Sequence, residues 1–285
     1  MKVLITGING QLGHDVTLVL RQRGIETISP THSEMDVTDR EGVDSYFDNN
    51  KPNAVIHCAA YTAVDKAEDE IELCRKVNVY GTKNIADNCD KYEIPMMYIS
   101  TDYAFNGTGN KPWEPMDETD PINAYGLSKR DGEIEVRKLK KYFIVRISWV
   151  FGINGNNFIK TMRRLSETRN CVNVVDDQYG SLTYTRDLAE LLADMIVTDK
   201  YGIYHAHNEG VCTWADVAEE TFRLLNINTK VNRITSDQYP MKAKRPMNSR
   251  MSTKCLTDNG FSLLPDWKDA LSRYIVELTS LNGEQ

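Results

Sequence analysis

The feature that most narrows the possible folds lies at the very start of the chain. Residues 3–6 read as a short apolar strand, and Gly7-Ile8-Asn9-Gly10-Gln11-Leu12-Gly13 follow at once. Behind this loop Leu12, Val16, Val19 and Leu20 recur at helical spacing, and Gly24 stands where a helix C-cap is expected. Strand, G-x-x-G-x-x-G loop and helix, in that order, open a βαβ unit of the dinucleotide-binding kind. Glycines let the backbone turn sharply and approach a pyrophosphate, while the helix N-terminus offers free N–H groups and the positive end of its dipole. Gly7, Gly10, Gln11, Leu12 and Gly13 are therefore candidate cofactor contacts.

Short β-rich runs continue to alternate with longer helical patterns through the first two thirds of the chain. That alternation predicts an α/β fold, a doubly wound parallel sheet of the Rossmann type. The expected strands are residues 3–6, 26–29, 54–59, 96–100, 143–147 and 172–175, with helices near 157–167, 186–195 and 213–224. Residues 102–121, rich in Gly, Pro, Asn and Asp, read as one long loop, and loops of that length are often functional. We expect residues 1–150 to form the dinucleotide-binding domain and 151–285 a smaller C-terminal substrate-binding region. The boundary is interleaved, with part of 157–200 returning to the sheet.

A sheet strand that binds NAD usually carries an acid for the ribose diol at the end of the second strand. Here Thr31, His32 and Ser33 stand there instead. NADPH is thus the expected cofactor, with NADH also accepted because no arginine is at hand to clamp a 2′-phosphate strongly. Asp36, a few residues on, reads equally as an adenine-side contact or a helix N-cap. The third strand ends in small residues, and Ala59, Ala60, Tyr61 and Thr62 leave room for a cofactor across its carboxyl edge.

Tyr125-Gly126-Leu127-Ser128-Lys129 places a phenol and an ammonium one turn apart on a helix starting near Asn123. A nearby cation favours phenolate, so the tyrosine pKa is expected to fall toward working pH, where proton transfer to a carbonyl oxygen is efficient. The fourth strand ends in Ser100-Thr101-Asp102-Tyr103, and a hydroxyl at that edge can donate to the same carbonyl. Tyr125, Lys129 and Thr101 are the candidate catalytic residues.

The remaining signals mostly exclude. A net charge of −7 and a pI near 5.4 provide no basic field for nucleic acid or an anionic membrane. No apolar run approaches the roughly 20 residues of a membrane span, and the N-terminus reads as a strand rather than a leader, so a cytoplasmic location is expected. Six scattered cysteines read as reduced thiols. His205-Ala206-His207 puts two imidazoles on one side of a strand, but without a third ligand no metal is expected. Glu68-Asp69-Glu70 reads as a solvated helix face. From Lys230 to Lys254 stand seven basic residues and one acid, which suits a pyrophosphate-bearing substrate, with Arg245 able to hold phosphate through two N–H groups.

These motifs together resemble the extended short-chain dehydrogenase/reductase family. Within it they resemble the branch that reduces the C4 keto group of dTDP-4-dehydro-L-rhamnose to give dTDP-L-rhamnose. The resemblance covers nearly the whole chain. It rests on Gly7 to Gly13, Ala59 to Glu68, Ser100 to Tyr103, Tyr125 to Lys129, Ser148-Trp149-Val150, Gly155 to Phe158, Asp177 to Gly180 and Arg245 to Ser249. It implies that Asp36 and Val37 join the cofactor contacts and that Tyr125 is the proton donor. Lys129 would hold the nicotinamide ribose and tune Tyr125. Thr101, Asp102, Tyr103, Trp149, Arg245 and Asn248 would meet a dTDP-4-keto-6-deoxy sugar. Ile147 and Leu182 depart from the threonine and proline usual in the family. Asp15 falls where some relatives bridge a dimer through magnesium, but no metal is expected from it, and a monomer or homodimer remains open. The same resemblance admits a nucleotide-sugar dehydratase or epimerase, or a non-catalytic subunit like the methionine adenosyltransferase β subunit. Dehydratases carry an Asp-Glu pair after the strand-end threonine, whereas Asp102 is followed by Tyr103.

Overall fold

Period-two burial on both faces of the first strand sets the architecture of the computed structural model, which describes residues 1–281 and 283. In β1 (Lys2–Thr6), Val3 and Ile5 pack into one apolar cluster and Leu4 into another, so the strand is covered by helices on both sides. The same division runs through β3 (Ala54–His57), β4 (Met96–Thr101) and β5 (Tyr142–Ile147). With β2 (Glu26–Ile28) and β6 (Gly202–His205) they make a six-stranded sheet in the order β6-β5-β4-β3-β1-β2, parallel throughout.

The first five strands lie within two residues of the expected positions. The sixth does not. Residues 172–175 pair instead, as part of Cys171–Val175, with Lys230–Ile234 in a separate two-stranded parallel ladder. Their alternate residues are exposed, a pattern that belongs to a one-faced ladder rather than a doubly covered sheet. Gly202–His205 takes the sheet edge beside β5.

Helix α1 (Gln11–Gln22) packs against α3 (Thr185–Ile196) on one face of the sheet, with Arg23 bonded to Glu190 and Asp194 across the pair. Helix α2 (Ala124–Val136) packs against β4 on the other face. The C-terminal region has two small cores of its own. One gathers Phe151, Leu182, Trp267 and Tyr274, the other Met162, Val172 and Phe222. Helix α4 (Trp214–Leu224) starts on a capping box made by Thr213 and Asp216, and the chain's last helix, α5, covers Trp267–Leu281. Among the described residues no helix is long and apolar enough to cross a membrane.

Candidate active site

Strand order reverses at β1, which leads to β2 on one side and β3 on the other, so a crevice opens at the carboxyl ends of β1 and β3. It widens into a cleft of about 750 Å³ that also reaches the ends of β4 and β5. Gly7 sits at its base with φ +75°. A Cβ there would lie 2.7 Å from the Ala59 nitrogen, and one on Gly13 would lie 2.2 Å from the Gly7 oxygen. Only hydrogen at these positions allows β1, β3 and α1 to meet so closely. Gly10 caps α1 without a side chain, leaving the first helical N–H groups free to face a ligand. Gly7, Gly10, Gln11, Leu12, Gly13, Ala59, Ala60, Tyr61 and Thr62 all line this wall. A cradle that any Cβ would fill, ending in free N–H donors, fits a dinucleotide pyrophosphate.

At the far end of the wall stand His32, Asp36 and Val37. Glu34, the nearest acid to the strand end, is turned onto its own loop and accepts from the Thr31 nitrogen (2.7 Å) and hydroxyl (2.8 Å). Asp36 accepts from the Thr38 nitrogen at 2.9 Å, and the cap of the following helix, Arg40–Asn50, is Asp39. The N-cap alternative for Asp36 is thereby removed. Its carboxylate also lies 3.8 Å from the exposed His32 ring.

Thr101, Asp102, Tyr103, Tyr125, Lys129 and Trp149 line the opposite wall. Asn123 starts α2 by accepting from the Gly126 nitrogen at 2.7 Å. A Cβ on Gly126 would lie 2.2 Å from the Tyr103 oxygen, so glycine brings the helix hard against the turn after β4. The Tyr103 and Tyr125 rings meet edge to face at 5.7 Å. The Thr101 hydroxyl donates to Asp102 at 2.9 Å. Burial pushes the Asp102 carboxyl up to about 6, against hydrogen bonds from Ser249 and Thr101.

The expected lowering of the Tyr125 pKa is not what this geometry produces. Burial raises it, the charge of Asp102 adds to the rise, and a hydrogen bond with Thr101 only partly opposes it. Lys129 is turned away. Its ammonium donates to the Ile99 carbonyl at 2.7 Å and sits 4.0 Å from the centre of the Tyr98 ring. Burial brings Lys129 itself down to about 7, although the nearby Glu133 carboxylate resists. Tyr125 therefore holds its proton at neutral pH, as a donor must.

Trp149 is held with φ +47°, unusual for a residue with a Cβ. Its indole stacks on Trp214 at 4.0 Å, and a Cβ on Gly180 would strike it at 2.8 Å. Arg245 and Asn248 lie outside the cleft lining. Arg245 donates to Asp65 (2.6 Å) and to the Tyr103 hydroxyl (3.0 Å), backing the cleft wall. Asn248 is buried and donates to the carbonyls of Thr108 (3.3 Å) and Lys111 (2.8 Å), stapling the long loop. Much of the basic excess of 230–254 is likewise spent on partners. Arg233 pairs with Asp176, Asp216 and Glu219, Lys242 with Asp69, and Lys254 with Asp258. His207 directs both ring nitrogens at backbone carbonyls, and buried Asp15 accepts from Thr185.

Asn78 is a positioning residue that sequence reasoning missed. It lies in a π-helical turn, Lys76–Gly81, where it accepts from the Tyr61 nitrogen (2.8 Å). It donates to the Tyr61 oxygen (3.0 Å) and to Ser128 (2.9 Å). It thus ties the cofactor wall to the helix carrying Tyr125 and Lys129. Nothing local in the sequence marks it, because its partners lie 17 and 50 positions away.

The family described as RmlD substrate binding domain matches residues 1–280. A dTDP-4-dehydrorhamnose reductase of Aggregatibacter actinomycetemcomitans is 39% identical, over 95% of this chain and 97% of its own. Among solved structures, a dTDP-4-dehydrorhamnose reductase of Clostridium acetobutylicum superposes with a TM-score of 0.96 at 40% identity, covering 98% of this chain and 100% of the other. The Bacillus anthracis dTDP-4-dehydrorhamnose reductase, solved in complex with NADP, gives 0.95 at 38% identity, covering 97% and 99%.

Proposed function

The chain belongs to the family of the RmlD substrate binding domain, and from that premise we propose that it is an NADPH-dependent reductase converting dTDP-4-dehydro-L-rhamnose to dTDP-L-rhamnose. One observation carries this reading. Likeness to reductases of that name extends over essentially the full chain, and Thr101, Tyr125 and Lys129 meet across one cleft from a glycine cradle suited to a dinucleotide.

In this reading residues 1–150 carry the dinucleotide and most of the sugar-site residues, and 151–285, less the stretch returned to the sheet, completes the sugar side through Gly155, Asn156 and Trp214. The glycine loop and the start of α1 hold the pyrophosphate, with Asp36 and Val37 on the adenine side. When bound, NADPH supplies the hydride that reduces C4. The protein's part is to bind, orient and protonate. Tyr125 gives its phenolic proton to the oxygen at C4, since burial keeps that proton in place until an alkoxide develops. The Thr101 hydroxyl, turned from Asp102, would donate to the same oxygen, and Lys129, cationic in part at neutral pH, would hold the nicotinamide ribose. Asp102, Tyr103 and Trp149 shape the sugar site. Arg245 and Asn248 act on it from behind, through Tyr103 and the loop.

Elimination of water would call for a further acid beside Asp102, and Tyr103 occupies that position. We place the enzyme in the cytoplasm, as a monomer or homodimer. The test is to mix protein, NADPH and dTDP-4-dehydro-L-rhamnose, follow the loss of nicotinamide absorbance and identify the sugar by NMR. No oxidation of NADPH or NADH overturns the proposal.

A further inference from the structure

A buried ion pair next to the site takes no part in the chemistry described so far. Arg146 on β5 is fully buried, as is Glu133 on α2. Two guanidinium nitrogens donate to the two carboxylate oxygens, Nε at 2.8 Å and Nη2 at 2.7 Å. The third, Nη1, donates to the Pro115 carbonyl at 3.0 Å in the long loop and lies 3.4 Å from His205 on β6. The guanidinium also covers the ring of Phe105, at 4.9 Å, and Phe105 stacks on Trp113. Glu133 accepts a further bond from Ser100, at 2.6 Å, and lies one turn beyond Lys129.

One pair therefore touches the residue before Thr101, the helix of Tyr125 and Lys129, and the long loop that continues from the Thr101–Tyr103 wall of the cleft. Stability alone does not account for such a pair. Removing two charges from water costs so much that apolar replacements are often no worse, whereas loss of one partner is costly. What an apolar pair cannot do is fix direction, because a bidentate fork and a third N–H specify one arrangement of three segments.

The geometry points to Arg146 and Glu133 as positioning residues that hold loop 105–115 in register with the strand-end threonine and the Tyr-Lys helix, and so set how the sugar nucleotide is presented. This rests on the reductase reading above. It separates the two walls of the cleft by role, since nothing in the pair touches the glycine loop. Glu133 also faces Lys129, together with Cys58, Cys74 and His57, and among these it is the carboxylate that supports the ammonium.

The test compares wild type with the apolar double variant Arg146→Met/Glu133→Met and with Glu133→Gln, each as the full chain. The double variant avoids leaving one charge alone. It should still unfold cooperatively, and any loss of NADPH affinity should be smaller than its loss of kcat/KM. Its kcat/KM for dTDP-4-dehydro-L-rhamnose should fall by about tenfold or more, since small misplacements of a reacting group are expensive. Hydrogen exchange of amides 105–115 should be faster. In Glu133→Gln the limb of the pH profile set by Lys129 should move to lower pH, a shift that a merely structural pair would not cause. Wild-type kcat/KM in the double variant, unchanged exchange in the loop, an unmoved pH limb, or an equal loss of NADPH binding would each overturn the inference. An inactive wild type would instead overturn the reductase reading, leaving the exchange measurement to judge the pair.

Discussion

The two walls of the cleft are built on opposite principles. The glycine wall is made of backbone: Gly7, Gly13 and Ala59 approach so closely that side chains are excluded, and the contacts come from short, contiguous motifs. The opposite wall is made of side chains from distant parts of the chain, with Asn248 reaching Thr108 and Lys111, Arg245 reaching Asp65 and Tyr103, and Trp149 lying on Trp214. A backbone cradle suits a ligand common to many enzymes, whereas a side-chain wall can be retuned one residue at a time. The walls should then respond separately to mutation.

The largest expected effect is at the junction, where Tyr125→Phe should lower kcat by about 10² or more, the usual contribution of a general acid, with NADPH affinity unchanged by titration. Near-normal turnover would remove Tyr125 from its role. Next comes a matched pair of variants. Gly13→Ala forces a Cβ against the Gly7 oxygen and should weaken NADPH binding by roughly tenfold or more with dTDP affinity intact. Trp149→Ala should do the reverse, raising sugar-nucleotide KM by about tenfold, as expected for a lost aromatic face. If either variant impairs both ligands equally, the walls are not independent.

Legibility followed the same division. The glycine loop and Y-x-x-x-K could be found because each is a short contiguous motif, and β1, β3, β4 and β5 because their apolar runs are buried on both faces. Gly202–His205 was missed as a sheet strand because it is short and mixed in polarity, while 171–175 misled because its valines face a local core of their own. The tuning of Tyr125 could not be read from spacing. One turn of helix brings Lys129 near, but its ammonium follows the Ile99 carbonyl and burial governs the phenol. Arg146 did leave a trace, as a lone charge within the apolar run Phe143-Ile144-Val145-Arg146-Ile147, yet its partners on α2 and in the loop appear only in three dimensions.

A smaller effect should come from Asp102. Its carboxyl titrates at about 6 in the folded chain against about 3.9 when unfolded, so folding tightens its hold on the proton. Its contribution is therefore best below pH 4, declines as the pH rises from about 4 to 6, and costs on the order of 2–3 kcal/mol above that. Asp102→Asn should accordingly raise Tm relative to wild type at pH 7.5 and lose that advantage at pH 4. An equal difference at both values would mean the carboxyl is not held protonated by burial. The smallest effect concerns the far end of the glycine wall. With Glu34 tied to Thr31 and Asp36 accepting from the Thr38 nitrogen, His32 faces the cleft end, and wild type should prefer NADPH by several-fold. His32→Asp should reverse that preference through repulsion of the 2′-phosphate, measured as kcat/KM for each cofactor. A wild type that strongly prefers NADH would show that Asp36 reaches the ribose.

The late arrival of β6 has a consequence for synthesis. β5 is complete at Ile147, but the strand that covers its outer edge begins only at Gly202. At about 5–20 residues per second the ribosome needs roughly 3 to 11 seconds to make the residues between. During that interval a nearly wholly apolar strand presents an open edge, able to pair with another nascent chain. Helix α3, which closes that face of the sheet against α1, is delayed with it. Yield of active protein should therefore depend on how fast codons 148–201 are read, and fragments ending near residue 150 should aggregate.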